Sequence, residues 1–229
     1  MTKFTKHGLL LTGLLLFSTA SAAQPQGRFL GFGGGDDENP SLKIRPAEIA
    51  IDVPMPVNSA SLAILLAQAG DGGNLSSMKQ AALRKYHSHL EAELNARLQA
   101  FFADEEIPLV EREGLLSLRN QLQVTVVKHF SDLQSVDGLD LERGTVEVSG
   151  KFHYELRSFH DHVLSERSLD LADLRIREKY RVKTAGDGST VEDSTEEAIK
   201  LALSEMVDEI VDEIEDDLEA DELRDLLSG

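Results

Sequence analysis

The stretch Thr145-Val146-Glu147-Val148-Ser149-Gly150-Lys151-Phe152-His153-Tyr154-Glu155-Leu156-Arg157-Ser158 decides the fold class. Val146, Val148, Phe152, Tyr154 and Leu156 take every second position, and Glu147, Ser149, Lys151, His153, Glu155 and Arg157 take the others. Successive side chains of a strand point to opposite faces, so this segment is a strand with one buried face and one wet face. Gly150 interrupts the apolar row, which marks a bulge or close packing against a helix.

A sheet with one apolar face needs a cover, and the flanking sequence supplies it. Between Ser76 and Phe102 the residues Met78, Ala82, Tyr86, Leu90, Leu94, Leu98 and Phe101 recur at steps of three or four, the spacing of one helix face. Ser76 or Ser77 can cap that helix. Near the other end, Ser194 with Glu197 three residues on reads as a capping box. It opens a helix whose inner stripe is Ile199, Leu203, Met206, Ile210, Ile214 and Leu218. A short Ala/Leu-rich helix is expected over Ser61–Ala69.

Further strands are expected at Glu48–Val53, at Ile107–Arg112 and at Leu169–Thr184, the last with Leu174, Ile176, Tyr180 and Val182 inward. His160–Glu166 reads as the polar turn before it. Ala185-Gly186-Asp187-Gly188 turns that strand back into Ser189–Asp193. The segment Gly114–Gln134 carries two signals. Val124-Thr125-Val126-Val127 favours a strand, whereas Leu115, Leu118, Leu122, Val126, Phe130 and Leu133 keep a spacing of three or four, which predicts a helix. The resulting order β, α, β, α, β, β, α describes an α+β (or α/β) fold: a two-layer sandwich of a mixed sheet covered by amphipathic helices.

The first 22 residues have the chemistry of an export signal. Lys3 and Lys6 are followed by Leu9–Leu11 and Leu14–Phe17, then by the small-residue site Ala20-Ser21-Ala22. The apolar run is much shorter than the ~20 residues that span a bilayer, so cleavage near Ala23 and a periplasmic product are expected, with secretion as the alternative. Residues 23–41, rich in Gly and Pro, read as a flexible linker, and no strand, helix or Lys makes their glycines a phosphate loop. Residues 42–218 form one domain, and 219–229 an acidic tail projecting into solvent.

The chain of 229 residues has 23 basic and 41 acidic residues, a formal charge of −18, and no cysteine. Losing Lys3 and Lys6 with the signal would make the charge about −20. Such a balance disfavours nucleic acid and anionic surfaces as non-specific partners. Without disulfides, stability must come from an ordinary core. No segment after the signal has the length and apolarity of a membrane helix.

Little in the sequence points to catalysis, to a cofactor or to a metal. Ser76-Ser77-Met78-Lys79 matches the S-x-x-K pair of acylating hydrolases, but Ser131-Asp132 is followed by Leu133 and Lys183-Thr184 by Ala185, so the companion motifs fail. His87 with His89, and His160 with His162, each supply at most two ligands where zinc needs three or four.

The unusual feature is electrostatic. Arg175, Arg177, Lys179, Arg181 and Lys183 occupy five successive alternate positions, a basic ladder on the polar face of one strand and a candidate partner-binding surface. From Asp208 to Asp225 stand eleven acids against Arg224 alone. The ladder is either a dock for an anionic partner or is neutralised internally by Glu147, Glu155 and the acidic helix. Pairing is the favoured expectation, since an unmatched row of like charges destabilises a sheet.

The segment Leu94–Gln121, a helix running into Ile107-Pro108-Leu109-Val110-Glu111-Arg112-Glu113-Gly114-Leu115, resembles the curli secretion-channel protein (CsgG), the penicillin-binding-protein activator LpoB and the TolB N-terminal domain. Val146–Phe152, Leu174–Val182, the Asp187-Gly188 turn and the last helix are similar to later elements of that family. Unlike many of those proteins, the chain has no cysteine for acylation. It also has no apolar alternating segments for channel hairpins. The resemblance implies no shared catalytic residues. It implies a non-catalytic periplasmic accessory or assembly protein that binds another cell-envelope component; self-association as a homo-oligomer is a further expectation. The alternatives are a small-ligand- or lipid-binding protein and a hydrolase of envelope polymers.

Overall fold

The computed structural model describes residues 38–55 and 73–228. The export signal, nearly all of the linker and the short helix expected over Ser61–Ala69 lie outside the described residues.

Two long strands, β3 (Leu116–Val136) and β4 (Leu139–Ser158), form a hairpin at the centre of a seven-stranded mixed sheet. The turn between them is Asp137-Gly138, both with positive φ, the geometry that two-residue hairpins select because it matches strand twist. Along the outer edge of β3 lie β1 (Leu42–Ile44) and β2 (Glu48–Asp52), both parallel to it. Along the outer edge of β4 lie β5 (Val163–Asp170) and β6 (Arg177–Ala185), both antiparallel, and β7 (Thr190–Asp193) extends the sheet beyond β6.

One face of this sheet is covered by α1 (Gly73–Asp104) and α2 (Thr195–Leu218). Leu90, Leu94, Leu98 and Phe102 of α1 and Leu203, Met206, Ile210 and Ile214 of α2 are fully buried against Leu122, Phe152, Tyr154 and Leu156 of the sheet. At about 1.5–3 kcal/mol per buried large apolar side chain, this layer drives the fold. The mixed sheet and its helical cover are the expected α+β class. Among the described residues no helix is long and apolar enough to cross a membrane.

Five local expectations are corrected. Gly114–Gln134 is not a helix: Leu116, Leu118, Leu122, Val124 and Val126 are buried as alternate residues of β3, and β-branched residues sit well on such a pleated surface. The strand expected over Leu169–Thr184 is two strands. Residues 171–176 turn between them, and the turn at His160–Glu166 is shorter because β5 begins at Val163. Ile107–Arg112 contributes only a bridge between Leu109 and Leu42. The capping box does not form: the Ser194 hydroxyl accepts from the Arg181 N–H at 3.0 Å, and Asp193 accepts from the Thr195 N–H at 2.8 Å. Ser194 thus fastens the start of α2 to β6.

Residues 219–229 were expected to project into solvent. Instead Ala220–Ser228 forms α3, with Leu223 fully buried and Leu226 packed against the core. The Glu105 carboxylate accepts from the Ala220 N–H at 3.1 Å, and Arg224 donates to the side-chain oxygen of Asn39. Asn39 also donates to the carbonyls of Glu105 and Glu106. Both ends of the described chain are therefore tied to the end of α1.

Candidate functional site

The face of the sheet opposite the helices has no cover among the described residues. Register fixes what stands on it. Thr145 of β4 lies opposite Lys179 of β6, Arg143 opposite Arg181 and Glu147 opposite Arg177. Arg177, Lys179, Arg181 and Lys183 therefore share the uncovered face, and Tyr180 and Val182 are buried on the other. Arg175 does not join them. It sits in the turn before β6 with φ 58, so the ladder has four rungs.

Part of the ladder is neutralised within the sheet. Arg177 meets Glu147 at 3.2 Å, and Arg181 and Lys183 both reach Glu192 of β7 at 2.5 Å. Hydrogen bonds, first from Lys183 and then from Arg181, hold the Glu192 carboxyl below the usual carboxylate range. Glu155, an expected partner, is instead bonded to Arg157 at 2.7 Å, which lowers its pKa. The acidic helix is no partner either, because it lies behind the sheet. Its acids meet Lys85 and Arg97 of α1 and Arg167 of β5. Among the described residues Lys179 and neighbouring Arg143 have no ion pair. Both line a shallow depression of about 540 Å³ together with Ser131, Thr145, Arg181 and Ser194.

Behind the ladder, Tyr180 stacks where Gly144 leaves room: a Cβ on that glycine would lie 2.5 Å from the ring. The Tyr180 hydroxyl donates to Glu142 at 3.1 Å, and Lys128 meets Glu142 at 2.9 Å while its ammonium lies 4.3 Å from the ring centroid. Burial, and then the Glu142 charge, push the Tyr180 phenol far up. This cluster rigidifies the strand that carries the ladder.

The other singled-out residues are dispersed. Ser76 lies within α1 rather than at its cap, and the Lys79 ammonium is bound to Asp52 at 2.9 Å. His89 is hydrogen-bonded to the Ser204 hydroxyl and near the Lys200 carbonyl, and His160 and His162 stay exposed in a turn. A grouping the sequence did not suggest is His153, Glu155 and Glu166, whose ligand atoms lie within 4.8 Å of one another. The register of β4 against β5 makes it, and Arg157 already occupies one Glu155 oxygen.

No family model matches the chain, and no curated protein does. Among solved structures, a homologue of the neuraminyllactose-binding hemagglutinin from Helicobacter pylori superposes with a TM-score of 0.51 at 13% identity, over 86% of this chain and 96% of that one. A minor lipoprotein from Acinetobacter baumannii aligns with a TM-score of 0.30 at 11% identity, over 79% of this chain and 95% of that one. The first of these likenesses shows a shared fold, traced over nearly the whole length of a bacterial protein.

Proposed function

We propose that this is a non-catalytic protein of the bacterial cell envelope, exported by its first 22 residues, whose uncovered sheet face docks an acidic partner of the envelope. The observation that carries the reading is the pair Arg143 and Lys179. Two cations without internal partners stand side by side on a rigid, helix-free face of a chain with formal charge −18. Like charges gathered in this way destabilise the free protein, and an anionic surface laid across them would offset that cost and speed encounter.

Arg177 and Arg181 are poor probes of docking because each also holds an internal acid. Arg143→Glu with Lys179→Glu is the clean variant. It is expected to stay within about 0.5 kcal/mol of wild-type stability, as surface changes do, and to lose capture of the partner from a solubilised envelope fraction. Capture undiminished in this variant would end the docking reading.

A second reading is favoured by the depression beside the ladder, whose two arginines, lysine and three hydroxyls suit an anionic sugar. The Helicobacter pylori neighbour is described as a homologue of a neuraminyllactose-binding protein. Saturable neuraminyllactose binding, lost in the same double variant, would select this reading over a protein partner.

Hydrolysis draws no support from the Ser76–Lys79 pair, since an ammonium held by a carboxylate is no general base. Ser76→Ala and Lys79→Ala are expected to leave partner binding intact. Loss of the exposed Lys79–Asp52 pair is expected to cost about 0–1 kcal/mol. Covalent labelling of Ser76 by a penicillin-type probe would overturn the non-catalytic assignment.

A further inference from the structure

At the other end of the sheet from the ladder, more than ten residues further along β4, the chain builds a second concentration of positive charge. Lys43 of β1 pairs in register with Ser117 of β3. The loop before β3 closes over them, because Gly114 lets its backbone approach β1: a Cβ there would lie 3.1 Å from the Lys43 backbone nitrogen and 2.8 Å from the Leu116 carbonyl oxygen. The result is a cleft of about 360 Å³ between that loop and the β4–β5 turn, within the range of small-ligand sites.

Four cations, Lys43, Arg45, Arg112 and Arg119, line this cleft against two acids, Glu113 and Asp161. Arg119 meets Asp161 at 2.9 Å, and Arg157 reaches the same carboxylate at 3.5 Å. Among the described residues Lys43, Arg45 and Arg112 have no ion pair. The lining thus carries an excess of two positive charges inside a strongly acidic protein. Ser117 also lines the cleft. The residue is 9% exposed, and its hydroxyl is placed to donate to a group bound there.

We propose that this cleft binds a phosphate group, with Lys43, Arg45 and Arg112 supplying charge and the Ser117 hydroxyl donating a hydrogen bond. Phosphate fits better than carboxylate. A carboxylate is planar and is met by one guanidinium fork, whereas a phosphate monoester presents three acceptor oxygens in a tetrahedral arrangement and carries close to two negative charges. Cations converging from a strand, the loop after it and a separate loop suit the second shape. The group is carried by either a soluble phosphate compound or the headgroup of an anionic lipid.

The test uses the exported chain at constant ionic strength. Replacing chloride by inorganic phosphate is expected to raise the melting temperature of the wild type saturably. Lys43→Gln with Arg112→Gln is expected to weaken binding at least about tenfold, and Ser117→Ala about fivefold, the scale of charged and neutral hydrogen bonds. Arg143→Glu with Lys179→Glu, on the distant ladder, is expected to bind phosphate as the wild type does, which separates this site from the docking face. Vesicles of phosphatidic acid compared with phosphatidylcholine distinguish the source. Retention on the acidic vesicles that disappears in the cleft variant assigns a lipid headgroup, and inorganic phosphate binding without retention assigns a soluble phosphate. Equal melting temperatures in chloride and phosphate together with no vesicle retention, or wild-type affinity in the Lys43/Arg112 variant, would overturn the assignment.

Discussion

Truncation after Leu218 is expected to lower the melting temperature by about 6–12 °C. The estimate rests chiefly on Leu223, which is fully buried. Deleting a buried leucine side chain costs about 2–5 kcal/mol. For a domain of this size each kcal/mol lowers the midpoint by about 2–4 °C. The truncation also removes the Ala220 N–H bond to Glu105 and the Arg224 bond to Asn39, loosening the end of α1. Leu223→Ala alone is expected to produce most of the loss, and Leu227→Ala, at a position 41% exposed, almost none. Burial, with Glu105 and the neighbouring acids of the helix, raises the pKa of Glu219. A group whose folded pKa is raised stabilises most when protonated and loses that contribution as pH rises through the folded value. The truncation penalty should therefore grow as pH falls towards the carboxylate range. Thermal melts of the wild type and the three variants at two pH values decide it: an unchanged midpoint on truncation would show that α3 does not contribute to the fold.

Gly150→Ala is expected to be more damaging still, at more than about 4 kcal/mol, or roughly 8–16 °C. Gly150 has φ +139, and a Cβ built on it would lie 1.9 Å from the Gln123 carbonyl oxygen. The obstacle is the backbone of the neighbouring strand, which cannot rotate away as a side chain can. Relief would require parting β3 from β4 at the centre of the sheet, where Gly150 faces Val124. Gly138→Ala is the control. Its φ is also positive, at +76, but no atom lies within 4 Å of the added methyl, so only the conformational penalty of about 1–2 kcal/mol is expected. The contrast is a test of β3 itself, since the clash exists only if Gly114–Gln134 is a strand. Equal, small effects at both glycines would restore the helical reading of that segment.

That misreading has a definite physical source. Leu118, Leu122, Val126 and Phe130 are four residues apart, and a step of four is shared by one face of a helix and one face of a strand. The discriminating positions were Leu116 and Val124, which a strand buries and the helical stripe omits, and Asp137-Gly138, a hairpin signal directly after the segment. Helices α1 and α2 carried no such ambiguity. Tyr86, Leu90, Leu94 and Leu98, and likewise Ile199, Leu203, Met206 and Ile210, fell on the stripes assigned to them and are buried there.

The candidate surface was legible in the same uneven way. Alternation placed Arg177, Lys179, Arg181 and Lys183 on one face because the period of a strand belongs to its own backbone. It could not remove Arg175, whose left-handed conformation arises in a turn between two strands that read as one. It named Glu147 as a partner, which Arg177 meets, but could not separate it from Glu155, find Glu192, or leave Lys179 and Arg143 without any, because that depends on which strand edges meet and in what register. The phosphate cleft was invisible, since Lys43, Arg112 and Ser117 come together only when β1 joins β3 and Gly114 folds the loop over them. The sequence by itself determined the α+β class, the faces of the helices and of β4, and the basic row on β6, all set by the repeat of a single backbone geometry. Only the tertiary structure decided the strand at β3, the docking of α3 and the neighbours of each charge. Those outcomes turn on contacts between residues distant in sequence, where competing arrangements differ by a few kcal/mol and no local pattern records which one prevails.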